Sequence, residues 1–135
     1  MRFRARPDAS TILWWMEQGE DARKALTNDT EELSTALCWL SEFILKHSKP
    51  RFVQVWGNGS SFDCAIPRNS YALIGQEAPW QWWNDRDVRT VVEMGKAISF
   101  DPKRDMPFEG TRHSALDDAI HQAKYVSAIW QKLVK

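Results

Sequence analysis

One succession near the middle of the chain constrains the fold more than any other: "DTEELSTALCWLSEFILKH", then "SKP", then "RFVQVWGNGS". In the first run Leu33, Ala36, Leu37, Leu40, Phe43 and Ile44 recur at helical spacing, which predicts an amphipathic helix starting near residue 29. His47 and then Pro50 mark its end, because proline lacks a backbone N–H and clashes with the preceding turn. Phe52, Val53, Val55 and Trp56 favour an extended chain, and the Gly-Asn-Gly that follows signals a turn. "SSFDCAIPRNSYALIG" then predicts a helix entering at Ser60 and interrupted by Pro67. Helices alternating with strands are the units of an α/β domain.

The rest of the chain fits that class with few strands. Residues 1–9 are basic and contain proline, and are expected to form an irregular arm. "STILWWMEQ" places Ile12, Trp15 and Met16 at helical spacing behind a Ser10 cap, and "GEDARKAL" continues helically. "DVRTVVEMGKAI" predicts a short strand running into a helix, and "SFDPKRDMPFEGTR" an extended loop. Residues 114–133 predict a helix with a stripe of Ala119, Ala123, Val126, Trp130 and Leu133. Only two strands emerge, and a two-stranded sheet is marginal unless something extends it.

Composition narrows the function classes. With 135 residues, 43% of them hydrophobic and 27% charged, the sequence is expected to make one globular domain over 1–135. Eighteen basic and eighteen acidic residues cancel, which argues against a dedicated duplex-binding protein and leaves any nucleic-acid contact to a local patch or to metals. Cys38 and Cys64 lie in apolar surroundings without CxxC spacing, so both are expected to be buried free thiols in a reducing compartment. No apolar run approaches a membrane span and "MRFRARPDAS" lacks the segment of a signal peptide, from which a cytoplasmic location is expected. Most of the eight tryptophans are expected to pack, with base stacking the alternative for "PWQWW" at 79–83.

Two segments could carry chemistry. In "HSALDDAIHQAKY", Ser114 and Asp117 fit a capping box, which leaves His113 on the preceding loop and Asp118 in the first helical turn, roughly 90° from the middle of the apolar stripe. In "VWGNGSSFDCAI" a strand and turn lead to a helix carrying Asp63 in its first turn, where Ser60 and Asp63 also fit a capping box. Each segment therefore begins a helix and delivers a carboxylate after a loop, as a divalent-metal site on an α/β sheet requires. Asp85 and Asp87 fit a structural role, ending or capping "WNDRDVRT".

These segments, with "WNDRDVRT" and "FDPKRDMPFEG", resemble the DEDDh 3′-to-5′ exonucleases of the ribonuclease H-like fold, and within them the bacterial and prophage exoribonuclease group. "TILWWMEQ" looks similar as well. The resemblance implies hydrolysis of phosphodiester bonds at the 3′ end of single-stranded RNA, or DNA, with four acidic residues holding two Mg2+ or Mn2+ ions. It assigns Asp63 and Asp118 as metal ligands, with Asn58 and Phe62 as companions of Asp63, and His113 as the general base for the attacking water. Arg104 or Lys103 on the preceding loop would meet phosphates.

The family's first motif, an Asp-x-Glu at the end of its first strand, has no counterpart. The one Asp-x-Glu, at 29–31, opens the long helix after a polar stretch. The resemblance thus implies a ribonuclease H-like fold lacking its first strands, helix-rich and N-terminally truncated, with impaired hydrolysis. It also implies an exposed edge on the strand at 52–56, through which the chain is expected to form a homo-oligomer. The alternative is a catalytically inactive nucleic-acid-binding or self-associating protein.

Overall fold

Local backbone requirements decide where each element begins and ends in the computed structural model, which describes residues 8–28 and 30–135. Most of the basic arm and Asp29 of the Asp-x-Glu lie outside the described residues. Helix α1 spans Ala9–Met16 and α2 Glu20–Lys24. Asp8, not Ser10, caps α1: its carboxylate accepts the Ser10 N–H and hydroxyl, because only the residue before the first turn can reach those orphan donors. Helix α3 covers Leu33–His47, with Leu37 and Ile44 buried and Lys46 and His47 in its last turn, beside the unpaired carbonyls.

The strand expected at 52–56 is shorter and shifted. The N–H groups of Phe52 and Val53 both turn back to the Lys49 carbonyl, so the chain extends only at β1, Val55–Gly57. The helix expected from Ser60 divides at Cys64 into α4, Ser60–Asp63, and α5, Ala65–Leu73. Pro67 then falls in the first turn of α5, where a missing N–H costs nothing. After a 3₁₀ turn at Trp82–Asn84 comes β2, Asp85–Asp87, leading directly into α6, Val88–Ala97. The loop expected at 99–112 contains a short helix, α7, Pro102–Asp105, capped by Asp101 with Pro102 leading its first turn. Helix α8, Ala115–Leu133, closes the chain.

β1 and β2 pair in parallel, with Val55 opposite Asp85, Trp56 opposite Arg86 and Gly57 opposite Asp87. Alternation along β1 sends Val55 and Trp56 to opposite faces. On the first face Leu37 and Ile44 of α3, Tyr71 of α5 and Trp80 form a core against which Val53 and Val55 pack. The Tyr71 hydroxyl donates to the Leu37 carbonyl at 2.7 Å, so a buried polar group is satisfied within that core. On the other side Val88 and Val91 of α6 pack with Tyr125 and Ile129 of α8. The two helices meet closely at Gly95, where an added Cβ would stand 2.9 Å from Ile129 Cγ1.

The stripe expected to bury α8 does something else. Tyr125 and Ile129 are the buried residues of that helix, whereas Ala119, Ala123, Val126 and Trp130 border an open apolar groove of about 790 Å³. Trp56 and Arg86 of the sheet and Met94 of α6 form its other walls. Cys38 likewise departs from expectation: it is exposed on α3, and only Cys64 is buried. Of the "PWQWW" tryptophans, Trp80 is buried in the first core and donates its indole N–H to Asp85, while Trp82 and Trp83 are exposed. Among the described residues the architecture is a helix-rich α/β arrangement with two strands. Among the described residues no helix is long and apolar enough to cross a membrane.

Candidate nucleic-acid cleft

The end of β1 and the start of α8 converge on one cleft of about 400 Å³. Asn58 lines it from the β1 turn, and His113, Asp118, His121 and Tyr125 from the α8 side. Lys96 at the end of α6, Lys103 on α7 and Arg112 before α8 supply its cations, Asp101 and Asp118 its carboxylates. A chain of zero net charge thus gathers three of its cations around one concavity.

Two turns set this geometry. Before α8, Asp117 Oδ2 accepts the Thr111 N–H at 2.8 Å and the Ser114 hydroxyl oxygen accepts the Asp117 N–H at 3.5 Å. Ser114 therefore caps the helix as expected, while the Asp117 carboxylate reaches past it to Thr111 instead of returning to Ser114. The tight turn places His113 at φ 66°, a left-handed conformation that bulky residues rarely take. Asp118 is left with its carboxylate free of hydrogen bonds and ion pairs among the described residues, on the cleft wall. Burial, with the Asp118 carboxylate as the lesser cause, pushes the Tyr125 phenol above its usual range.

After β1, the capping box expected from Ser60 does not form. Gly59, at φ 106°, takes the cap position, a backbone conformation that suits glycine. Ser60 turns its N–H and hydroxyl to Asp87 Oδ2, at 2.7 and 3.0 Å. Asp87 Oδ1 also accepts the Arg89 N–H at 2.8 Å, so one carboxylate caps α6 and ties α4 to it. These donors, the Ser60 N–H first, hold the Asp87 carboxyl below the usual range. Asp85 is structural too, accepting from Arg68 at 2.7 Å and from the Trp80 indole.

The expected site residues fall into two groups. Asn58, His113 and Asp118 share the cleft; Asp63, Phe62 and Arg104 are absent from its lining. Asp63 Oδ2 accepts the Asn58 N–H at 2.7 Å. Phe62 is exposed. Arg104 is turned onto Asp105, with 2.6 and 2.7 Å contacts, and onto the Ser99 carbonyl, so Lys103 is the loop cation that faces the cleft. His121 and Tyr125 escaped the sequence reading, although their spacing of three and seven residues from Asp118 puts all three on one helix face. Arg112, whose guanidinium lies 5.0 Å from the Phe108 ring centroid, and Lys96 carried no local signal.

For a divalent cation the donor set fits in kind but not in number. Carboxylate oxygens are what Mg2+ and Mn2+ take. Among the described residues, however, no three His, Cys, Asp or Glu side chains form a group that could hold a metal ion. The described residues by themselves do not complete a metal site.

Comparison with known proteins gives two matches. Residues 1–130 match the family described as the 3′-5′ exoribonuclease Rv2179c-like domain. A protein of Enterobacteria phage T4 named exodeoxyribonuclease is 33% identical over 100 residues, a match covering 62% of this chain and 44% of that protein. The chain thus spans less than half the length of that relative. No solved structure matches it.

Proposed function

The chain belongs to the Rv2179c-like 3′-5′ exoribonuclease domain family, and we propose that its cleft receives the 3′ end of single-stranded RNA, or DNA, for phosphodiester hydrolysis. The observation that carries this reading is the meeting of Asn58, from the β1 turn, with His113 and Asp118, from the start of α8, in one cation-lined concavity. An imidazole there can take a proton from an attacking water, and Lys103 and Arg112 can pair with backbone phosphates. His113 is the proposed general base, with Asn58 and Lys103 as substrate contacts.

Asp63 and Asp118 are the carboxylates proposed for Mg2+ or Mn2+. With two such groups in place of four, turnover by this chain alone is proposed to be slow. The matching fold is proposed to be ribonuclease H-like, formed as a single domain over 1–135. Its free thiols suit a reducing, cytoplasmic setting. The second reading, a binding or self-associating protein without turnover, is favoured by the Asn58 contact that occupies one Asp63 oxygen and by the open apolar groove. In both readings a second copy is proposed to pair along the edge of β1 that has no strand partner among the described residues.

The experiment is to incubate 5′-labelled RNA and DNA oligonucleotides with purified protein and Mn2+, beside His113→Ala. Stepwise shortening from the 3′ end by wild type, lowered at least about a hundredfold in His113→Ala, is the expected result. Binding without cleavage favours the second reading, and neither binding nor cleavage of either oligonucleotide refutes the nuclease reading and reduces the second to self-association.

A further inference from the structure

Helix α1 meets His113 through Trp14. The Trp14 ring stands 5.2 Å from the His113 ring, centroid to centroid, at an interplanar angle of 90°. Trp14 in turn rests edge-on against Trp15, at 5.0 Å and 80°, and Trp15 is the partly buried one of the pair.

His113 needs such a neighbour. It is exposed, sits on a turn at φ 66°, and makes no side-chain hydrogen bond among the described residues. An imidazole so placed would sample several rotamers, only some of which face Asp118 and the cleft. Perpendicular aromatic contact at this distance is a favourable arrangement, and it restricts the ring on one side. Helix α1 has no buried residue of its own, and Trp14 is 44% exposed, so this tryptophan adds little to either core. Its ring contacts are with Trp15 of its own helix and with the imidazole.

We propose that Trp14 is a positioning residue for His113, making α1 part of the site. The inference rests on His113 as the base, but the restraint itself is measurable without catalysis.

The test uses proton NMR of the metal-free full chain, with the His113 ring resonances assigned through His113→Gln, and compares wild type with Trp14→Ala and Trp14→Phe. In wild type the indole ring current displaces the His113 resonances; in Trp14→Ala they move to their positions in unstructured peptides, and Trp14→Phe retains part of the displacement. Oligonucleotide trimming should lose about three- to tenfold in kcat in Trp14→Ala, with KM unchanged and recovery in Trp14→Phe. Identical His113 resonances in wild type and Trp14→Ala would overturn the proposal, as would an unchanged kcat. If wild type cleaves nothing, the nuclease reading fails, and the resonance comparison alone decides whether Trp14 holds the ring.

Discussion

Asp117 and Asp118 are neighbours on the first turn of α8, and their carboxylates serve different ends. Asp117 Oδ2 accepts the Thr111 N–H and fixes the turn that carries His113, whereas Asp118 lines the cleft without a hydrogen-bond partner among the described residues. Single substitutions should separate the two. Asp118→Asn is expected to lower cleavage or oligonucleotide-dependent metal binding at least about tenfold while leaving the melting temperature unchanged. Asp117→Ala removes the acceptor for Thr111 and should cost about 1 kcal/mol in a denaturant titration.

Lys103 and Arg104 make a second adjacent pair. Lys103 faces the cleft, and Arg104 is committed to Asp105. Each phosphate contact on a single strand contributes about 0.7 to the slope of log affinity against log salt. Lys103→Ala should therefore reduce that slope by about 0.7 in fluorescence anisotropy with a labelled oligonucleotide. Arg104→Ala should leave it unchanged. Equal slopes for wild type and Lys103→Ala would remove Lys103 from the interface.

Asp87 predicts an acid-dependent stability. Its carboxyl titrates below its ordinary value of 3.8 in the folded protein because the Ser60 N–H, and then the Arg89 N–H and Ser60 hydroxyl, donate to it. A depressed folded value means the stabilisation is complete above the unfolded value and disappears as pH falls through the folded one. Wild type should lose stability below about pH 4. Asp87→Ala should be weaker by about 1 kcal/mol at pH 7, with a shallower acid slope in thermal melts.

The groove beside Trp130 predicts association. Trp130 is 60% exposed and stands on the groove wall with Trp56 and Met94. Trp56 of β1 belongs to the same wall, so a second copy paired along the β1 edge is proposed to cover this groove, and a carboxylate at position 130 charges it without disturbing Tyr125 or Ile129. Sedimentation velocity should show wild type as a dimer or larger and Trp130→Glu as a monomer of unchanged helix content. A monomeric wild type would end the proposal.

Much of this architecture is legible along the chain, and the exceptions have physical causes. The stop at His47 and the helix at α8 follow from proline and periodicity, which act on a few adjacent residues. The strand expected to begin at Asp87 ends there instead: β2 is Asp85–Asp87, without a β-branched residue, and Val88 already opens α6, because pairing with β1 sets the strand. β1 is displaced because the turn at Lys49 captures the N–H groups of Phe52 and Val53. Ser60 is diverted from its own helix by Asp87, a residue of the neighbouring strand that no local pattern identifies. Cys38 is exposed because an apolar neighbourhood in sequence is not one in space.

The sequence by itself determined the long helices, the family and the two segments that meet at the cleft, since spacing and residue type are properties of the chain. Tertiary structure decided which side chains share that cleft. It brought in Arg112 and Lys96, turned Arg104 onto Asp105, set Asp63 against Asn58 and leaned Trp14 on His113. A side chain's direction depends on the partners that satisfy it, and those partners come from elements remote along the chain.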